Sequence, residues 1–153
     1  MPMPQLSLHS PIGPLTLSEE DGMIVALDTG WGRDQTRSAL LRTAADQLQA
    51  YFDGRLQRFD LPLAPIGTVY RRRVWQHLRD IPFGHTLTYA GLAARAGGVA
   101  RSIGQALGAN PVPILIPCHR VLAARGLGGF SMEGGDETKR YLLRLEGVSL
   151  DHP

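Results

Sequence analysis

Apolar positions alternate with polar ones at two short intervals near the N-terminus: Leu6 and Leu8 flank Ser7, and Leu15 and Leu17 flank Thr16. Alternation of this kind puts every second side chain on one face of a strand. Two short strands are expected, Leu6 to Leu8 and Gly13 to Leu17, with a turn between them. Glu19-Glu20-Asp21-Gly22 reads as a second turn, and Met23 to Leu27 resumes an apolar strand. The three make a small antiparallel sheet. From Gln35 to Phe52 the period changes to that of a helix, with Leu40, Leu41, Ala44, Leu48 and Tyr51-Phe52 on roughly one face. Asp53-Gly54 ends it. Leu61 to Gly67, which contains Pro62 and Pro65, reads as a linker.

Beyond it the chain is mostly helical. Thr68 is placed to cap a helix whose buried stripe is Tyr70, Val74, Trp75 and Leu78, with Arg71, Arg72, Arg73 and Arg79 mostly on the wet side. Ile81-Pro82-Phe83-Gly84 breaks it. Thr88 caps a short helix carrying Leu92 and Ala93 inward, and Gly97-Gly98 ends that one. Val99 to Ala109 forms the next, stopped by Asn110-Pro111. Two short helices joined by a glycine turn make a helix-turn-helix pattern. A last helix runs from Glu137 to Leu145 with Tyr141, Leu142 and Leu145 inward. The expected fold class is α+β: a small N-terminal antiparallel sheet with a helix over residues 1–67, linker included, then a mostly helical domain over 68–153.

Composition narrows the function classes. The 153 residues hold one cysteine, which excludes an internal disulfide and any multi-cysteine metal site. No apolar run is long enough to span a membrane, and no signal peptide is visible, so a cytoplasmic location is expected. The net charge of +2 conceals an asymmetry. Residues 1–67 hold five Arg against eight Asp or Glu, a net of −3; residues 68–153 hold ten Arg and one Lys against six Asp or Glu, a net of +5. A basic half suggests an anionic partner such as nucleic acid, unless the arginines reflect genome bias alone.

The candidate chemistry lies in that basic half. Pro117-Cys118-His119-Arg120 contains the single thiol. Pro111, Pro113 and Pro117 bracket Ile114-Leu115-Ile116 and are expected to hold that segment extended. A thiol on a stiff segment beside an imidazole is a candidate nucleophile, because the thiolate is the reactive form. An inert buried thiol is the competing reading. Neighbouring side chains on an extended chain face opposite ways, so His119 reaches Cys118 only across a turn or through a water. Glu146, among apolar neighbours, is either an exposed helix-end residue or a buried carboxylate partnered by His119 or Arg120.

The helix from Val99 carries Ala100, Ser102, Gly104, Ala106, Gly108 and Ala109. An interior glycine costs up to about 1 kcal/mol. Either tight packing against another helix offsets that cost, or the small face meets a bulky partner, with Arg101 as the one long side chain able to reach into it. Gly126 to Gly135 is a glycine-rich loop. Without a preceding strand it does not read as a phosphate cradle; a mobile wall over a pocket fits it better.

Residues 68–148 resemble the catalytic domain of the O6-alkylguanine-DNA alkyltransferases, the methylated-DNA–protein-cysteine methyltransferases. The resemblance is carried by Val74-Trp75, Ile81-Pro82-Phe83-Gly84, Thr88-Tyr89, Ala100-Arg101, Asn110-Pro111, Ile116-Pro117-Cys118-His119-Arg120-Val121, and Leu142-Leu143 through Glu146-Gly147. Residues 5–67 are similar to the family's N-terminal domain. The resemblance implies that Cys118 accepts an alkyl group from O6-alkylguanine in double-stranded DNA, once per molecule, with O4-alkylthymine a second candidate substrate. It implies that His119 draws off the thiol proton through a water, that Glu146 holds the imidazole in the useful tautomer, and that Asn110 bridges the two sides of the site. DNA contacts would fall to Tyr89, Ala100, Arg101, Ser102 and Gly104. Tyr89 would press on the phosphate beside the lesion, and Arg101 would fill the gap left by the everted nucleotide. The pocket would be lined by Tyr89, Pro113, Val121, Phe130 and Ser131. No cofactor and no metal are implied, and the protein is expected to be a monomer in solution, with cooperativity on DNA left open. Phe130 stands where many relatives carry Tyr, and Met132-Glu133 reads as an insertion, so the range of alkyl groups admitted stays open. A non-repairing lesion binder, a helix-turn-helix regulator and a cysteine hydrolase are the competing functions.

Overall fold

Three strands open the chain because Leu6, Leu8, Leu15, Leu17, Ile24 and Leu27 all require burial; each such side chain contributes about 1.5–3 kcal/mol when withdrawn from water. In the computed structural model, which describes residues 3–130 and 132–150, β1 (Gln5–Leu8), β2 (Leu15–Glu20) and β3 (Met23–Thr29) form an antiparallel sheet in that order. Leu8 pairs with Leu15, and Leu15 with Thr29. Glu19 and Glu20, expected in the turn, extend β2 instead. The turn is the dipeptide Asp21-Gly22, both at positive φ (52° and 75°), a geometry that matches the twist of the strands it joins.

Helix α1 (Ala39–Phe52) covers the apolar face of the sheet with Leu41, Ala44, Leu48, Tyr51 and Phe52. It starts later than its periodicity predicts, because Ser38 caps it by accepting from Leu41 N. Gln35 is not helical: its Oε1 accepts from Ser7 N at 2.9 Å. The expected linker is also partly structured. Ile24 N donates to Pro62 O and Ala64 N donates to Ile24 O, so this segment lies along the edge of β3.

The chain divides into two units, one ending at Ile66 and the other beginning at Gly67. In the second, α2 (Val69–Arg79) is capped by Thr68 Oγ1, which accepts from Arg71 N at 3.2 Å. It buries Val74, Trp75 and Leu78. The two-residue strand β4 (Leu87–Thr88) leads into α3 (Tyr89–Ala96), capped by Thr88, and α4 (Ala100–Gly108) follows the Gly97-Gly98 turn. The Trp75 indole N–H donates to Ala106 O at 2.7 Å and so ties α2 to α4. A single 3₁₀ turn (Cys118–Arg120) precedes β5 (Val121–Leu122), which pairs in parallel with β4. Helix α5 (Gly135–Leu145) closes the unit. Its buried face is Thr138, Lys139, Leu142 and Leu143; Tyr141 and Leu145, expected inward, are only half-buried. The fold is α+β, as the sequence pattern predicts. Among the described residues no helix is long and apolar enough to cross a membrane.

Candidate active site

The segment before the cysteine is not extended. Asn110 folds it: Asn110 Nδ2 donates to Ile116 O at 2.9 Å, and Asn110 Oδ1 accepts from Val112 N at 2.9 Å. Ile116 N closes the turn onto Val112 O. The cost sits at Ile114, a β-branched residue at φ 73°. Backbone there is strained by roughly 1–3 kcal/mol. Burial of Val112, Ile114, Leu115 and Ile116 offsets it. Pro111 and Pro117 flank this turn and Pro113 lies within it, so the prolines do not straighten the segment. Cys118 then starts the 3₁₀ turn, with Cys118 N donating to Ile116 O and Arg120 N to Pro117 O. The chain therefore does turn at Cys118-His119.

Cys118 lies at a cavity of about 370 Å³ lined by Tyr89, Gly104, Leu107, Gly108, Cys118, Gly129 and Phe130. Tyr89 and Phe130 are expected pocket residues, and Gly104 is an expected DNA contact. Leu107 and Gly108 were not expected, because nothing in a helical pattern says which outward positions overlook a distant loop. Val121 and Pro113 are buried and are not among the lining residues. Ser131 lies outside the described residues. The glycine-rich loop is tied at Gly129 rather than left free: Gly129 N donates to the Tyr89 hydroxyl at 3.3 Å, and Gly129 O accepts from Lys139 Nζ at 3.0 Å.

His119 and Glu146 are buried together. His119 Nε2 lies 2.7 Å from Glu146 Oε2. Arg120 holds the same carboxylate in a fork, Nε donating to Oε1 at 2.7 Å and Nη2 to Oε2 at 3.0 Å, while its Nη1 donates to Ile81 O. The helix-end carboxylate therefore has both of its suggested partners. Burial alone would raise the Glu146 pKa, but the hydrogen bonds from His119 and Arg120 outweigh it and hold the group well below the usual carboxylate range. Burial lowers the His119 pKa against the pull of Glu146, so the imidazole is neutral at pH 7. An ionised Glu146 only accepts, which puts the imidazole proton on Nε2 and the lone pair on Nδ1. Among the described residues that Nδ1 has no hydrogen-bond partner. The site thus holds a base with its lone pair free.

Burial pushes the Cys118 thiol up to about 11; hydrogen bonding from Asn110 and the charge of Lys139 pull the other way. The resting nucleophile is therefore a thiol and needs a base. Lys139, the one lysine of the chain, is fully buried and donates to Val121 O at 2.7 Å as well as to Gly129 O. Burial lowers its pKa to about 8, partly opposed by Cys118 and Asp136. It is the residue that helical periodicity missed. Its rarity in an Arg-rich chain was the only available signal.

On α4, Ala100 and Arg101 are exposed. A Cβ added at Gly104 or Gly108 would meet nothing within 4 Å, so packing inside the chain does not demand glycine at either place. Ser102 is committed elsewhere: its hydroxyl accepts from Val99 N at 3.0 Å and contacts the Tyr70 hydroxyl at 2.9 Å. Among the described residues no group of three or more His, Cys, Asp and Glu could hold a metal ion.

The chain matches two family models: the DNA binding domain of 6-O-methylguanine DNA methyltransferase over residues 69–148, and the ribonuclease-like domain of the same family over residues 6–65. It is 38% identical over 153 residues to the methylated-DNA–protein-cysteine methyltransferase of Methanosarcina acetivorans, covering 91% of this chain and 95% of that one. It is 41% identical over 153 residues to the enzyme of the same name from Mycobacterium bovis, covering 92% and 90%. The crystal structure of Mycobacterium tuberculosis OGT in complex with DNA superposes with a TM-score of 0.83 at 40% identity, over 93% of this chain and 91% of that one.

Proposed function

The chain belongs to the 6-O-methylguanine DNA methyltransferase family, and from that premise we propose that Cys118 is its alkyl acceptor. The activity is that of a methylated-DNA–protein-cysteine methyltransferase, direct repair of alkylated DNA. The observation that carries the assignment is the placement of the only thiol in the chain on a 370 Å³ cavity, next in sequence to a buried His119–Glu146 pair 2.7 Å apart.

The geometry supports the following roles. His119 Nδ1 takes the Cys118 proton through a bridging water, and Glu146 stabilises the imidazolium that forms. The sulfur attacks the alkyl carbon, a C–S bond forms as the C–O6 bond breaks, and the guanine leaves as its anion and takes a proton from water, while the imidazolium returns its proton to solvent. Lys139 and Asn110 favour the developing thiolate. Nothing in the site removes an alkyl group from a thioether, so each molecule reacts once. The partner is double-stranded DNA containing O6-alkylguanine. The alkyl carbon is stacked inside the duplex, so the nucleotide must rotate out to reach Cys118. Arg101 fills the gap, the small face of α4 lies in the minor groove, and Tyr89 presses on the neighbouring phosphate. Residues 68–153 hold both DNA binding and alkyl acceptance, in a cytoplasmic protein that is a monomer when free.

The test is incubation with duplex oligonucleotides carrying label on the O6-alkyl group. Label is expected on the protein, with none transferred to Cys118→Ala. Transfer to the Ala variant, or none to the wild type, overturns the assignment.

A further inference from the structure

Helix α4 is held to α2 at two places. Near its C-terminal end, Ala106 O accepts from the Trp75 indole. At its start, the Tyr70 hydroxyl donates to Gly97 O at 2.9 Å and lies 2.9 Å from Ser102 Oγ. With the Tyr70 proton on Gly97 O, the Ser102 hydroxyl gives its own single proton to the Tyr70 oxygen and accepts from Val99 N at 3.0 Å, its oxygen also lying 2.9 Å from Val99 O. Val99 has no side-chain acceptor, so Ser102 performs the capping that the first residue cannot. One turn further along α2, Arg73 Nε donates to Ala96 O at 2.8 Å, with its guanidinium over the Tyr70 ring at 5.2 Å. A cation at the carbonyl end of α3 is favourably placed against the helix dipole. The turn itself is built around this contact. Gly98 sits at φ 90°, and a Cβ there would collide with both the Tyr70 and Ser102 hydroxyls. The end of α3, the turn and the start of α4 are thus joined through one tyrosine oxygen.

We propose that Tyr70 is a positioning residue for duplex engagement, acting through Ser102 to fix the N-terminus of α4 and with it Arg101. This role rests on the DNA-repair reading above. Six residues separate Ala100 from Ala106, about 9 Å of helix. With the Trp75 anchor intact, loss of the Tyr70 hydroxyl frees the far end of that lever, where Arg101 sits. The cavity at Cys118 is lined from the middle and C-terminal end of α4, at Gly104, Leu107 and Gly108, so chemistry on a substrate that needs no duplex is spared.

The experiment compares wild type, Tyr70→Phe, Ser102→Ala and the double variant in single-turnover alkyl transfer. Each is assayed on O6-methylguanine in duplex DNA and on free O6-benzylguanine. Each single variant is expected to lose about fivefold on duplex, the worth of one hydrogen bond, and less than twofold on the free base. The double variant is expected to lose no more than the worse single, because the two hydroxyls act as a unit. Free-base transfer at the wild-type rate also shows that each variant is folded. A duplex rate unchanged in Tyr70→Phe, or equal losses on both substrates, overturns the positioning role and leaves the repair function standing. A wild type inert toward both substrates overturns the function and this role with it.

Discussion

Replacing Glu146 with Gln keeps the volume and removes only the charge, so it tests the carboxylate rather than the packing. The carboxylate accepts from His119 once and from Arg120 twice. A glutamine amide cannot accept all three. With its NH₂ at the Oε1 position it faces Arg120 Nε, donor against donor. At the Oε2 position it faces Arg120 Nη2, again donor against donor, and obliges His119 Nε2 to accept. That second arrangement moves the imidazole proton to Nδ1 and abolishes the free lone pair. Breaking a buried ion pair on one side costs about 3–5 kcal/mol. The isosteric change should fall at the lower end, about 3 kcal/mol, within the 5–15 kcal/mol typical of folded domains. General-base catalysis contributes about 10²–10⁴, so alkyl transfer should slow by at least about 100-fold while duplex affinity stays near wild type. Rapid quenching of labelled O6-methylguanine duplex gives the rate, and denaturant unfolding gives the stability. The stability difference should also depend on pH. Glu146 has a folded pKa held well below the 4.5 of an ordinary glutamate, so its contribution is complete above pH 4.5 and is lost as pH falls from there toward the folded pKa. A transfer rate within threefold of wild type removes Glu146 from the mechanism, and a stability gap that does not narrow in acid removes the ion pair from the fold.

Gly104→Ala should stabilise the folded protein by up to about 1 kcal/mol, since the new Cβ meets nothing and alanine favours helix. It should nevertheless slow repair of duplex, read by parallel thermal unfolding and label transfer; an unimpaired duplex rate would show that the small face of α4 does not meet DNA. Arg101→Ala should weaken repair in duplex more than transfer from free O6-benzylguanine, because the exposed side chain acts on extrusion; equal losses would contradict that role. The pH profile on free O6-benzylguanine should be level from about 6.5 to about 7, because the proton passes from thiol to imidazole inside the protein, and burial lowers the His119 pKa and keeps the imidazole neutral there. At higher pH the rate should fall, with a midpoint at about 8, as Lys139 loses its charge, in place of the tenfold rise per pH unit that direct ionisation of a thiol of pKa about 11 would give. A tenfold rise per pH unit between 7 and 9 would mean that solvent, not His119, deprotonates the sulfur.

Elements and caps were legible because their signals are local. Thr68 and Thr88 cap the helices they precede, and Leu15 and Leu17 point into the core that α1 covers. The Pro-Cys-His-Arg segment and a partnered Glu146 were legible as candidates from the residues, but the choice between a buried and an exposed Glu146 came through resemblance, since His119 and Glu146 lie 27 residues apart and only the fold joins them. The turn at Ile114 was not, because its cause is the Asn110 side chain; the prolines around it argue for extended chain when read alone. Arg120 was legible as a candidate partner of Glu146, but its bond to the Ile81 carbonyl 39 residues away was not, because only the fold brings that carbonyl to it. Lys139 defied periodicity for a related reason: its ammonium is satisfied by two loop carbonyls, which no helical pattern records. Gln35 continued a helical period but was drawn off by the Ser7 backbone.

The sacrifice of one sulfur per molecule is tested most directly by intact-protein mass spectrometry, with peptide mapping, after reaction with excess O6-methylguanine duplex. The expected product is a single added methyl group, on Cys118, with repaired guanine never exceeding one equivalent per protein. Unmodified protein, a methyl on another residue, or more than one guanine repaired per molecule would contradict it.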